Sequence, residues 1–399
     1  MHIVYVNREY PPSLRSGGIA SYVYEMAHAL SSQGHRITVI CASDDTRNCS
    51  VQTEGNVRVF RLSGGDFCIP QLEGSGLFNK LRGITRFYSY RRAIRETILS
   101  LDHVDIIEVP EYGAEAYFLM DLKIPVVIRL HTPTSLDRGS FEKRRYNIKQ
   151  LPEAWIALQE EKLIKKASYI TSCSQSLIDW CTNFFELNSN IIRRIFNPIR
   201  TEVWKPTSGT MRHPFSILYA GTVAREKGVE DLIQACNILR SHGIPIRLTI
   251  AGKLGQYGKS LKENAAEWCH FLGSIPRMDL LQLYSSHEIG VFPAWWDNLP
   301  LVCIEAMASE CITLASSNGG MSEIIIDGEN GFLISPRNPH ILADKIQQIL
   351  HMDEKGKRHV RIRARHTIEK HLSTKVVCEE TLEFYECVLK NYKYENSLG

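Results

Sequence analysis

Short β-branched runs alternate with amphipathic helical stretches along almost the whole chain, a pattern that points to doubly wound parallel sheets. A first series places strands at 2–6, 36–41, 56–61, 104–108, 125–130, 168–171 and 191–195, with helices over 18–33, 78–100 and 153–166. From Asn197 to Pro214 the pattern breaks into Pro, Ser, Gly and charge, the composition of an interdomain linker. A second series opens at Phe215-Ser216-Ile217-Leu218-Tyr219-Ala220-Gly221. Its further strands fall near 246–251, 268–272, 288–292 and 311–315, and its helices near 228–241, 277–286, 299–309 and 339–351. The end, 354–393, is helical and charged. A chain of 399 residues exceeds one typical core. The expected division is an N-terminal domain over 1–200, a C-terminal domain over 215–375, and a helix over 376–393 that is a candidate to cross back to the first. Ligands of open α/β sheets bind beyond the carboxyl ends of the strands. The cleft between two such domains is therefore the expected site.

Composition narrows the class. Hydrophobic residues make up 44% and charged residues 23%, the values of an ordinary soluble protein. The net charge of +3 asks for no polyanionic partner, and no nucleic-acid-binding module is recognisable. The apolar start Met1-His2-Ile3-Val4-Tyr5-Val6 lacks the length and basic beginning of a signal peptide, and no apolar stretch is long enough to span a bilayer. The eleven cysteines form no C-x-x-C pair, so neither a zinc site nor a disulfide framework is signalled. Cys41, Cys236, Cys303 and Cys311 lie in apolar runs and read as small core residues. A reducing cytoplasm is the expected compartment.

The most informative local pattern runs from Val291 to Ala308 as strand, turn and helix, with Asp297 and Glu305 eight positions apart. Asp297 and Asn298 are good capping residues, and Pro300 suits a first helical position. A helix opening at the end of a buried strand favours a phosphate at its first N–H groups. Glu305, further along, can accept hydrogen bonds from the vicinal hydroxyls of a ribose. One carboxylate near a sugar and one near a ribose, with a diphosphate between, describe a nucleotide-sugar site.

With this run stand Gly221-Thr222-Val223-Ala224-Arg225-Glu226-Lys227-Gly228-Val229, Asn318-Gly319-Gly320-Met321-Ser322-Glu323 and Asp327-Gly328-Glu329-Asn330-Gly331-Phe332-Leu333-Ile334. The first half offers Pro11-Pro12 before Gly17-Gly18, then Gly34-His35-Arg36-Ile37-Thr38-Val39-Ile40, His131 after a strand, and Ser172 to Ser174 before a helix. In this order the motifs resemble a family 4 glycosyltransferase of the GT-B fold, in which two Rossmann-like domains with parallel sheets face each other. The resemblance implies an acceptor-side first domain and a nucleotide-sugar donor domain second. It implies that Lys227 stabilises the charge gathering on a leaving nucleoside diphosphate. Asp297 and Glu305 stand where the family has paired glutamates, so the first arm is one methylene shorter. Thr222 stands where an arginine is common; Arg225, three positions later, either reaches that phosphate or is a surface charge. Pro300 removes one amide donor, so phosphate contacts would fall to Leu301 and its neighbours. Gly17 and Gly18 are implied to let the chain approach the diphosphate of the donor, or the acceptor, closely, or they serve a tight turn. His131 is implied to hydrogen-bond the donor sugar or the reacting centre. Glu323 reads as a first-turn acid at a helix start. Of Trp295 and Trp296, at least one is packing.

From Lys80 to Arg95 six cations (Lys80, Arg82, Arg86, Arg91, Arg92, Arg95) interleave with Phe87, Tyr88 and Tyr90 without an acid. Three readings stand: a solvated helix face over buried aromatics, a peripheral contact with the anionic inner face of a membrane, or binding of a phosphorylated acceptor. The resulting expectation is transfer of a hexosyl group from a nucleotide sugar, UDP first and GDP next, to a hydroxyl of a glycan, glycolipid or small molecule. Retention of configuration comes from the resemblance alone, as does a surface-polysaccharide acceptor. The sequence has no Asp-x-Asp motif, so no metal and no other cofactor are expected. An epimerase on the same fold, a non-catalytic nucleotide-sugar binder and a glycan-binding module remain as alternatives.

Overall fold

In the computed structural model the described residues are 1–13, 17–44, 48–64, 77–207 and 209–397, except for the side chains of 77–84, 149 and 395–397. The chain forms two compact units, one of Met1–Asp137, Glu142–Pro198 and Thr374–Gly399, the other of Arg138–Phe141 and Ile199–Ser373.

The first unit runs β1 (His2–Val6), α1 (Gly18–Ser32), β2 (Arg36–Ala42), β3 (Ser50–Glu54), β4 (Val57–Leu62), α2 (Leu77–Leu99), β5 (Ile106–Pro110) and β6 (Val126–Leu130). After β7 (Leu136–Asp137) and β8 (Glu142–Lys143) come α3 (Leu151–Lys166), β9 (Tyr169–Ser172), α4 (Gln175–Phe185) and β10 (Ile192–Arg194). Its sheet has the order β10-β9-β6-β5-β1-β2-β4-β3, parallel except for β3. Strands β1, β5 and β6 are buried throughout, as strands covered by helices on both faces must be. β3 went unread in the sequence because Ser50-Val51-Gln52-Thr53-Glu54 is a polar, almost wholly exposed edge with no apolar run.

The second unit runs β11 (His213–Ala220), α5 (Val229–Ser241), β12 (Arg247–Ala251), α6 (Gln256–Glu263), β13 (Cys269–Gly273), α7 (Asp279–Ser286), β14 (His287–Phe292), α8 (Leu301–Ala308), β15 (Ile312–Ser316), β16 (Phe332–Ile334), α9 (Pro339–Leu350) and α10 (Glu354–His371). The sheet order β13-β12-β11-β14-β15-β16 is all parallel and follows the 3-2-1-4-5-6 winding of a dinucleotide-binding sheet. The order reverses between β11 and β14, the switch point at whose carboxyl edge ligands of such sheets bind. From Ile199 onward the stretch read as a linker belongs to this unit. Ile199 bridges to Ser373, and Trp204 is 2% exposed. Cys41, Cys236, Cys303 and Cys311 are all buried.

The last helix, α11 (Thr374–Ser397), belongs to the first unit, where Val377, Cys378, Tyr385 and Val388 join the core of Ile3, Tyr5, Val23 and Leu30. Its anchor is polar. Glu108 on β5 is 3% exposed and accepts 2.7 Å hydrogen bonds from the hydroxyls of Tyr385 and of Tyr22 on α1. Burial raises the Glu108 carboxyl above its usual range, against the opposing effects of Arg129 and the two hydroxyls. Tyr385→Phe removes one donor from a buried acceptor, a loss of roughly 1–3 kcal/mol. Urea unfolding is expected to show it, and an unchanged midpoint would count against this anchor.

Candidate functional site

The loop leaving β11 and the loop leaving β14 meet backbone to backbone. Gly228 lies at φ +68°, and a Cβ there would stand 2.1 Å from the Pro293 carbonyl oxygen, so only glycine fits. The Trp295 amide donates to the Glu226 carbonyl at 2.8 Å across the same junction. On the other side Gly319, at φ +103°, lies so close to the Asp297 carbonyl that a Cβ would stand 1.9 Å from it. The Gly320 amide donates to the carbonyls of Asp297 and Asn298. These approaches place Lys227 beside Asp297, with Nζ donating to Oδ2 at 2.5 Å. Oδ1 accepts from the Asn298 amide at 3.1 Å. About a fifth of each side chain is exposed, 20% for Lys227 and 22% for Asp297. Cation and carboxylate thus lie together at the carboxyl edge of β11 and β14.

Helix α8 begins one residue later than the sequence suggested. Pro300, expected at the first helical position, is the cap residue itself, with φ −69° and ψ 120°, and no side chain caps the helix. Asp297 and Asn298 are therefore not its caps; Asp297 is engaged with Lys227 instead. Leu301, half-buried, is the first helical residue. Glu305 is 2% exposed. Its Oε1 accepts from Nε of Arg277 at 2.7 Å and lies 2.6 Å from Nη2, and its Oε2 accepts from the Tyr284 hydroxyl at 3.4 Å. Sequence reasoning missed Arg277. The signal was there, because a carboxylate in an apolar helix needs a partner, and Arg277 follows a strand end at the same edge of the sheet.

The remaining candidates of this unit are more peripheral. Thr222 is exposed, and its carbonyl accepts from the Tyr219 hydroxyl at 2.9 Å. Arg225 is exposed, with its guanidinium carbon 6.0 Å from the centroid of the Trp295 ring. Trp295 is held by Asp231, which accepts from its indole N–H at 2.9 Å, and by Arg337 at 4.1 Å. Trp296 is buried against Phe141, with centroids 5.1 Å apart. Both tryptophans serve packing. Glu323 closes a four-residue 3-10 turn, Gly320–Glu323, rather than opening a helix.

In the first unit His131 follows β6 directly, with its ring edge-on to Tyr22 of α1 at 5.6 Å. Burial, then the nearby Arg129 charge, hold the imidazole well below its ordinary pKa, so it is neutral near pH 7. Its amide donates to both oxygens of Glu111 at 3.0 and 2.9 Å, and the Thr132 amide donates to Glu111 at 2.6 Å. Glu160 accepts from the amides of Thr134 and Gly113 and from the Thr134 hydroxyl. Two fully buried carboxylates thus grip the loop that carries His131. Gly17 and Gly18 start α1, but Gly17 is extended at φ −154° and Gly18 has no left-handed φ, so the tight-turn reading fails. A Cβ on Gly17 would come within 3.1 Å of Glu9, and one on Gly18 would meet nothing within 4 Å.

Burial and the neighbouring Glu160 push the Glu111 carboxyl up to about 8. The folded chain therefore keeps a proton that the unfolded chain has already released, and stability falls as pH rises from about 4.5 toward about 8. Glu111→Gln retains an acceptor oxygen but cannot ionise, and is expected to flatten that decline in thermal melts across the window. An identical slope in the variant would refute the assignment.

The basic run of α2 is not one cationic face. Arg91 is 1% exposed, donating to the carbonyls of Phe87, Gly113 and Ala114, and Arg95 pairs with Asp121 at 2.6 Å. Lys80 and Arg82 lie outside the described side chains, which leaves the exposed Arg92 and half-buried Arg86. No helix among the described residues is long and apolar enough to cross a membrane. Nor do three or more His, Cys, Asp or Glu side chains among them gather in a way that would hold a metal ion.

Residues 201–366 match the family described as glycosyl transferases group 1, and residues 16–203 match glycosyltransferase family 4. The chain is 26% identical over 419 residues to glycogen synthase of Mycobacterium tuberculosis, covering 96% of this chain and 94% of that one. Among solved structures, sucrose-phosphate synthase from Thermosynechococcus elongatus superposes with a TM-score of 0.80 at 19% identity, over 98% of this chain and 99% of that one. HepE from Anabaena, solved in complex with UDP-glucose, gives 0.71 at 17% identity, over 97% and 100%.

Proposed function

The chain belongs to the family 4 glycosyltransferases, nucleotide-sugar enzymes of the GT-B fold. On that premise we propose that it moves a hexosyl group from a UDP-sugar, with GDP-sugars second, to a hydroxyl of a glycan, glycolipid or small molecule, with retention of configuration. The observation that carries this reading is the Lys227–Asp297 pair at the strand-order reversal of a 3-2-1-4-5-6 sheet. The diphosphate would lie against Lys227 and the first amides of α8 from Leu301 onward, where a cation and N–H groups meet charge that grows as the glycosidic bond breaks. Asp297, relieved of Lys227, would accept a hydrogen bond from a hydroxyl of the transferred sugar. Glu305 would take the ribose diol, as an acidic residue does in other nucleotide sheets. Neutral His131 suits a hydrogen bond to the sugar rather than a second charge. Thr222 and Arg225 would serve the phosphate side, and Gly17 and Gly18 leave the start of α1 without side chains.

Catalysis in this reading is positioning and charge stabilisation. The acceptor hydroxyl attacks the face that the diphosphate leaves, and the departing phosphate oxygen takes its proton. The UDP-glucose complex of HepE supports a UDP-sugar as the first donor to try.

A thermal-shift screen against UDP-, GDP- and ADP-sugars is expected to show stabilisation by one of them, about 2.7 kcal/mol at a hundredfold excess over Kd. Lys227→Ala should lower kcat by roughly 10²–10³ with a smaller change in KM. Glu305→Gln should weaken donor binding by roughly tenfold. Unchanged kinetics in both variants would remove the assignment. Because Lys227 and the helix amides supply the positive charge, turnover is expected to persist in excess chelator; an absolute need for added divalent ion would contradict that part.

A further inference from the structure

Arg277 lies in the loop after β13, at the carboxyl edge of the sheet that carries Lys227 and Asp297. Its Nε and Nη2 both converge on Oε1 of Glu305, at 2.7 and 2.6 Å. The guanidinium is braced from behind, its carbon 5.2 Å from the centroid of the buried Trp204 ring. Trp204 in turn meets Tyr284 edge-on at 6.1 Å, and the Tyr284 hydroxyl reaches Oε2 of the same carboxylate. Trp204 thus braces Arg277, Arg277 holds one oxygen of Glu305, and Tyr284 touches the other.

Burial differs sharply across the pair. The Glu305 side chain is 2% exposed, whereas Arg277 keeps 36%. A core salt bridge would bury both ends; here the cation reaches solvent at the edge where ligands of such sheets bind. A carboxylate that is to read two vicinal hydroxyls must keep one oxygen at a fixed angle, and a glutamate tip otherwise rotates through a broad range. Two N–H groups of one rigid fork on Oε1 remove that freedom.

We propose that Arg277 is a positioning residue for donor recognition: by holding Oε1 it fixes the orientation of the Glu305 carboxylate that is to read the ribose diol of the nucleotide. This rests on the ribose role given to Glu305 above. Arg277 need not touch the donor for the effect, and its contribution falls on ribose discrimination rather than on the chemical step.

The full chain is titrated calorimetrically with UDP, GDP and ADP and with their 2′,3′-dideoxy counterparts. For the base that binds, the wild type is expected to prefer the ribose form by roughly tenfold or more, the usual worth of hydrogen bonds to a charged group. Arg277→Gln should shrink that preference to within about threefold, with turnover at saturating donor largely kept. Arg277→Lys, which restores one charged donor, should fall between. A preference unchanged in Arg277→Gln would overturn the proposal, and if that variant does not fold, an unchanged preference in Arg277→Lys does the same. Glu305→Gln separates the two levels. If it alone loses the preference, Arg277 is merely structural; if it too keeps the preference, the ribose role of Glu305 is wrong. Binding of none of the three nucleotides would end both readings.

Discussion

Gly228 and the Pro293 carbonyl approach more closely than any side chain would allow, and the geometry of the carboxyl edge follows from that contact. The loops from β11 and β14 start on neighbouring strands but wind in opposite directions, so nothing in the sheet itself brings their far ends together. Backbone contact at Gly228, sealed by the Trp295–Glu226 hydrogen bond, does so. Lys227 precedes the contact by one residue and Asp297 follows Pro293 by four, which makes the two side chains neighbours. The second close approach, at Gly319, pins Asp297 from the loop after β15. Three separate loops thus share one small volume, and each uses a glycine where a Cβ would forbid it or a backbone donor where an acceptor faces it.

Buried acidic groups in this protein are matched by local partners, and the kind of partner separates scaffold from site. Glu108 is met by two tyrosine hydroxyls, Glu111 and Glu160 mainly by backbone amides, and Glu288 by Lys357. An uncompensated ion in such surroundings costs several kcal/mol even after relaxation. These groups cannot exchange partners cheaply, and they tie helices and loops to the sheets. The Lys227–Asp297 pair is different, since about a fifth of each side chain stays exposed and either end can be rehydrated or taken over by a ligand. Arg277 and Glu305 fall between, with one end fixed and the other open.

Much of this was legible in the sequence. The long parallel strands are continuous apolar runs bounded by turn residues, so their positions were readable to within a residue or two. The edge strand β3, the short β16 and the helix α6 were not, because they are too short or too polar to carry a period. The lysine, the two carboxylates and the crowded glycines of the second unit stood out because each motif combines a strand end with a residue type that such an end rarely needs for packing. What sequence alone left hidden were pairings over long separations. Lys227 with Asp297 spans 70 positions, and Arg277 with Glu305 spans 28. The inward turn of Arg91 was equally hidden, because a basic helix looks solvated until the carbonyls that receive it are placed.

The aspartate at 297 gains a physical sense from its partner. A glutamate in that position would carry its carboxylate about one methylene further out, toward the sugar but away from the clamped backbone. With aspartate, the carboxylate stays close enough to its own loop for Oδ1 to take the Asn298 amide while Oδ2 takes Lys227. In the proposed reaction the lysine is then already at the carboxyl edge before the donor arrives, neutralised rather than exposed as a lone cation. In that proposal a diphosphate, with more negative charge than one carboxylate, would compete for the ammonium and release Oδ2 of Asp297.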